Sequence, residues 1–434
     1  MVRNMLYLFV FLISGFAISQ EEWVITNLQP LPEPTAYNVI CEASINNVKR
    51  VYSFGGTSDV FDSSSVHQRT FRYSVEGNKW DTLEHIPDST GKLGMRASFV
   101  KNRIYITGGH TLDTVNNERL VSRKTHVFNP FLDTFEVDGA NIPTPKTNHI
   151  QAVWRDSLIF VLGGADNTEN SINNYFYNPA FNTWASCTSL PENDFFRSEG
   201  GAGYILGDTI FYYGGQSGTF LPSAKSFLRK GVINKNDPTE IEWSFVDDVF
   251  GFRLYDVVAS GHDKTVLFFG GAKEVYNYNG ENNNGDNVAG NTQILHYRSS
   301  VDQSTIFDLN VFLKGINGAA KLGGGNWIVA GGIDSLGVVK DEVFLLSNVG
   351  LSGIEEALQP PFFDLLEFDE YFSVKTENIG IVSVYDVMGR TLFQKSKGLA
   401  DIHIPKSRLK DGMLIFVYDD RHSLPVSKKV VLIK

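Results

Sequence analysis

Cysteine is nearly absent: two thiols in 434 residues, Cys41 and Cys187, cannot staple a fold. Catalytic signatures are missing as well. No HExxH sets two histidines on one helix face for zinc, no GxSxG forms a nucleophile elbow, and no cysteine stands at a useful spacing from a histidine. The nine histidines are scattered. Positive charge is in deficit, with 38 basic against 49 acidic residues for a net −11. A protein so acidic is a poor partner for nucleic acid or anionic lipid, which demand basic surface. After residue 19 no apolar run is long enough to span a bilayer. These gaps point away from a metal site and a bound cofactor, and the sequence reading assigns neither.

Glycine, by contrast, is abundant and placed with regularity. Six pairs each close an apolar run: Gly55-Gly56, Gly108-Gly109, Gly163-Gly164, Gly214-Gly215, Gly270-Gly271 and Gly331-Gly332. Their first members are 53, 55, 51, 56 and 61 residues apart. No Lys-Ser/Thr and no helix start follows any pair, so these are not phosphate cradles. A second apolar strand comes next, as in 124–129, 174–178 and 293–298. A short turn follows, and then an aromatic opens another strand: Trp80, Phe135, Trp184, Trp243 and Phe307. Ile86-Pro87, Ile142-Pro143 and Leu190-Pro191 close units. A repeat near fifty residues of this design resembles the kelch motif over about residues 23–346. The resemblance implies an all-β, six-bladed β-propeller. The sixth repeat lacks its aromatic strand, and Glu22–Thr26 with Leu28 and Leu31-Pro32 reads as the orphan that completes it. Pairing it with residues 341–346 would close the ring and cover exposed strand edges. On this layout Cys41 lies on an innermost strand and Cys187 on an outermost one, too far apart to bridge.

The ends of the chain read differently. Residues 1–19 combine Arg3, the apolar core 6–16 and small residues before Gln20, the pattern of a secretory signal peptide. The propeller follows over 20–349, then a linker over 350–361. Residues 362–434 carry six short strand-like runs separated by turn residues, which predicts a small Ig-like β-sandwich. The segments VSVYDVMGRTL (382–392), IHIPKSRLKDGM (402–413) and KKVVLIK (428–434) resemble the C-terminal sorting domain of the type IX secretion system of Bacteroidota. That resemblance implies a protein secreted or displayed at the cell surface by way of the periplasm and outer membrane. It also makes the type IX machinery a partner. Two features depart from it: PPFFDLL (360–366) stands in place of the usual Asn-Pro, and Met413-Leu414 follows Gly412 where tyrosine is common.

If blades run from the axis outward, the loops after each glycine pair and the connections between blades share one face. Long segments on that face include 57–69, 110–123, 272–292, 192–198 and 247–254, whereas the opposite face has short turns such as 101–103. Binding on such scaffolds favours the long loops. The residues leading into the innermost strands form the channel mouth, and the candidate ligand contacts are Arg96, His149, Arg197, Glu199, Arg253 and Tyr255. Asn38, Asp256 and Asn317 share the ring, with Phe195, Phe196, Phe250 and Phe252 beside it. Arg197 is expected to pair with Glu199 if the two are structural. Arginine beside aromatics suits a protein or glycan partner. The kelch resemblance also admits an enzyme. Sialic acid mutarotases are six-bladed kelch propellers, and Arg197 and Glu199 would there serve as electrostatic stabiliser and general acid–base. The Asn/Gly-rich stretch 276–287 lacks the spacing of an EF-hand and reads as a solvated loop. The function expected from sequence is a non-catalytic, exported binding protein.

Overall fold

In a computed structural model, the described residues are 22–349, except 46–47, 114–117, 169 and 218–221, and 363–432, except 369, 377–379, 387–389, 398–401, 410 and 420–425. The expected signal peptide and linker lie outside them. The chain divides into two units, Met1–Gly350 and Leu351–Lys434.

Among the described residues the first unit has six antiparallel sheets: five have four strands in sequential order, two of them with one short extension, and the last takes its outer strand from the N-terminal end of the unit. The first sheet runs Val39–Ile45, Val48–Thr57, Val66–Ser74 and Lys79–Leu83. The leading strands of all six sheets, from Val39–Ile45 round to Ala320–Gly323, contribute to the wall of one central cavity of about 330 Å³. This is a propeller-type arrangement. Cys41 sits on such an inner strand and Cys187 on a fourth strand; both thiols are free and buried.

The last sheet is completed as the sequence suggested. Trp23–Asn27 pairs antiparallel with Val343–Asn348, Trp23 opposite Asn348, so the register lies two residues beyond the expected one. Trp23 takes the place of the missing aromatic, 5.6 Å from Trp327 and 5.3 Å from His296. The tryptophans of the fourth strands also link sheets. Trp184 Nε1 donates to Ala140 O at 2.7 Å and Trp80 Nε1 to Gln29 O at 3.0 Å, each reaching the segment that leaves the preceding sheet.

The glycine pairs explain how neighbouring sheets join. The second glycine donates its N–H to the segment leading into the next sheet: Gly109 to Lys146 O, Gly164 to Ser198 O, Gly215 to Leu254 O, and, across the closure, Gly332 to Thr35 O at 2.9 Å. At Gly331 φ is +77° and an added Cβ would collide with the Thr35 carbonyl, so a side chain is excluded both by conformation and by space.

The second unit has one three-stranded and one four-stranded antiparallel sheet. Phe372, Val374 and Ile402 from the first share a core with Val382, Val384, Leu414 and Phe416 from the second. Residues Phe363–Glu367 form a strand that is not among the six expected runs; it pairs with Tyr371–Thr376.

Candidate functional site

The segment before each inner strand makes one bridge to the residue just after a glycine pair. Tyr255 pairs with Ala272 and Ala36 with Thr57 in this way. These bridges hold a ring of side chains at the long-loop end of the first unit, around a cavity of about 370 Å³. Its walls include Tyr37, Tyr255, Tyr276 and Tyr278, with Asp256, Asn317, His110 and Arg119 among them.

Asp256 is buried, and its carboxylate accepts from Tyr276 Oη at 2.8 Å. Burial raises its pKa above the usual carboxylate range, against the opposing pull of the Arg96 charge and the Tyr276 bond. Tyr255 packs edge-on to Tyr276 with ring centroids 5.4 Å apart. The phenols of Tyr37, Tyr255 and Tyr276 are all held well above their ordinary value, first by burial and then by neighbouring charges, so all three remain O–H donors at neutral pH. Three buried polar atoms here have no hydrogen-bond partner among the described residues: Tyr37 Oη, Asn317 Oδ1 and Arg96 Nη2. A buried polar atom without a partner is costly unless something else supplies one. Asn317 also lines the central cavity, so it stands where the two meet, whereas Arg96 lines the central cavity alone.

The sequence-predicted residues divide. Arg96, Glu199 and Tyr255 belong to this region. Glu199 is tied down, however: it accepts from Arg119 Nη1 at 2.7 Å, Gln216 Nε2 at 2.8 Å and Asn148 Nδ2 at 3.2 Å. The expected Arg197–Glu199 pair does not form. Arg197 turns outward to Glu192 at 3.3 Å and to the Asn170 carbonyl at 3.5 Å, because its side chain leaves the loop before the inner strand begins. His149 is fully buried, its Nε2 sharing a hydrogen with Thr107 Oγ1 at 3.0 Å, and it supports the wall from behind. Arg253 is exposed on a separate groove of about 450 Å³ beside Phe250 and Asp194. Of the flanking phenylalanines, Phe252 is core and Phe195 is exposed.

Sequence reasoning missed Tyr37, Arg119 and Tyr276. The 276–287 stretch is not simply solvated. Tyr276 and Val288 are buried, and Lys314 Nζ donates to Val288 O at 2.7 Å and Gly280 O at 3.3 Å, pinning both ends of the loop. Aligning the repeats on the glycine pairs does not put Tyr37 and Asp256 in one column, and only the bridges Ala36–Thr57 and Tyr255–Ala272 make the two equivalent. Arg119 carries no repeat signal either, since it lies on Glu118–Val121, one of only two such extensions among the described residues.

No family profile matches the chain. Kelch-like protein 35 of Homo sapiens is 28% identical over 120 residues, which cover 28% of this chain and 18% of that protein. The Mus musculus protein of the same name is 26% identical over 175 residues, 40% of this chain and 26% of that one. The aligned stretches are thus a small part of those relatives. A solved structure of YjhT superposes with a TM-score of 0.58 at 14% identity, covering 80% of this chain and 99% of that chain. These likenesses support kelch-type repeats and a propeller fold.

Proposed function

We propose that the chain is a six-bladed kelch-type propeller that binds a carbohydrate in the tyrosine-lined cavity. It is exported, and its Ig-like C-terminal unit is a type IX sorting domain. The observation that carries the ligand reading is the convergence of four tyrosines with two unpartnered buried polar atoms, Tyr37 Oη and Asn317 Oδ1, on one cavity of about 370 Å³. Sugars offer apolar C–H faces to aromatic rings and hydroxyls to fixed donors and acceptors, and this wall presents both. The raised pKa of Asp256 and the neutral phenols favour a neutral, hydroxyl-rich ligand, while Arg119 is already neutralised by Glu199.

The test is a glycan array probed with the mature chain, followed by titration calorimetry on the hits with Tyr276→Ala and Arg253→Ala. Binding should fall about tenfold or more in Tyr276→Ala, the loss of roughly 1.4 kcal/mol or greater, and stay unchanged in Arg253→Ala on its separate groove. Equal binding in both variants removes this cavity as the site.

An enzymatic reading has one observation in its favour, the Asp256–Tyr276 pair, a buried carboxyl of raised pKa hydrogen-bonded to a phenol. Such a group can transfer a proton during sugar ring opening. The roles expected of Arg197 and Glu199 have no such support, since one points outward and the other is fully engaged. Anomer exchange followed by NMR, in wild type and Asp256→Asn, separates an enzyme from a binding protein.

A further inference from the structure

One position at or near the start of each inner strand is equivalent in all six repeats. In every repeat the residue before it pairs with the residue after the glycine pair: Ala36 with Thr57, Leu93 with His110, Thr147 with Ala165, Glu199 with Gln216, Tyr255 with Ala272, and Lys314 with Ile333. The position itself is Tyr37, Gly94, Asn148, Gly200, Asp256 and Gly315. All six are left-handed, with φ of +56°, +66°, +48°, +71°, +59° and +66° in that order. Glycine takes this conformation freely; a tyrosine does so only under strain, and asparagine and aspartate at a smaller cost.

Glycine and side chain alternate around the ring, and the glycines make the room. A Cβ on Gly94 would lie 2.5 Å from Asn148 Oδ1 and one on Gly200 would lie 2.6 Å from the Tyr255 ring, while one on Gly315 would press on Ile333 at 2.9 Å. Backbone bonds pass from repeat to repeat through the same residues, Tyr37 N to Gly315 O at 2.6 Å and Asn148 N to Gly94 O at 3.0 Å. Tyr37, Asn148 and Asp256 all line the tyrosine-rich cavity, one from every second repeat. The hydroxyl of Tyr37 is buried there without a partner among the described residues.

We infer that Tyr37, Asn148 and Asp256 are the specificity-determining residues of the cavity, kept in left-handed backbone so that three side chains reach one ligand from three alternating sides. Strained backbone persists where surrounding structure enforces it, and it concentrates at functional sites. The fold itself requires only glycine at this position, as three repeats demonstrate. The assignment rests on the carbohydrate reading above.

The experiment uses the full mature chain and the variants Tyr37→Phe, Asn148→Gly and Asp256→Gly. Two quantities are measured: the melting temperature without ligand, and the affinities for methyl glycosides of glucose, galactose, mannose and N-acetylglucosamine. The expected result is a melting temperature equal to wild type or up to a few degrees higher in all three. Affinity for the preferred glycoside should drop roughly tenfold or more, with a changed order of preference among the four. Wild-type affinity and preference in all three variants would overturn the inference and leave the site reading intact. A fall in melting temperature of more than about 5 °C in both glycine variants would overturn it too, by making the side chains structural. A wild-type chain that binds none of the four glycosides would defeat the carbohydrate reading, and this assignment with it.

Discussion

His67, His110 and His149 are buried beside cations and not carboxylates: Arg69, Arg119 and Arg96 are the respective neighbours. Burial first, and those charges second, push each imidazole down to about 3. The folded pKa is depressed, so the stability these residues contribute is complete above the unfolded value near 6.5 and is lost as pH falls toward 3. Between pH 7 and 5 each should cost about 2 kcal/mol of unfolding free energy, before carboxylates begin to titrate. Urea midpoints measured at pH 7, 6 and 5 check this, and a midpoint that does not move would show these imidazoles to be solvated. Lys146 is another buried titratable group, drawn down by burial to about 7 and caged by Gly163 O at 2.8 Å, Asn173 O at 2.9 Å and Ser171 Oγ at 2.5 Å. Replacing it with methionine strands the buried Gly163 carbonyl and Ser171 hydroxyl, and a loss of about 1–3 kcal/mol in a denaturation curve is expected. Neither environment was legible in the sequence. A histidine's spacing does not tell which neighbour its ring will meet, and Arg197 misled for the same reason: its position was read correctly and its direction was not.

At the scale of elements the sequence spoke more clearly, because a repeat shows the same physical demand six times. The glycine pairs, the fourth-strand aromatics and the N-terminal strand all follow from that repetition. What repeats least, the extension carrying Arg119 and the loop carrying Tyr276, was hidden, and the site draws on those parts. The N-terminal strand offers the sharpest test. Trp23 packs against Trp327 and His296, and Leu31 is buried behind it. Trp23→Ala should destabilise the first unit by about 3 kcal/mol or somewhat more, read as an earlier urea midpoint. Deleting residues 22–31 should do worse, since it also bares the edge of Val343–Asn348. A deletion that melts with the wild-type curve would mean that the ring does not depend on this strand.

For the whole molecule, the two units each have their own core, Trp80 and Val343 among the residues of one and Phe372 and Phe416 among those of the other. A chain ending at residue 349 should therefore fold and keep its ligand affinity. On the proposed assignment it should also remain in the periplasm of a host with the type IX system, whereas the full chain reaches the surface or medium. Cell fractionation decides between that and a C-terminal unit with no part in export.

The pairing of Trp23–Asn27 with Val343–Asn348 also sets a timetable. During synthesis the first of these strands emerges early and has no partner until nearly the whole unit has followed. Each earlier sheet can assemble from neighbours in sequence, but the sixth cannot, and a contact spanning the entire unit is slow to form. The nascent chain thus stays an open string of sheets until its last strand arrives, and completion is a single late event. On the proposed export that delay is useful: the same joint that locks the finished protein keeps the unfinished one unlocked.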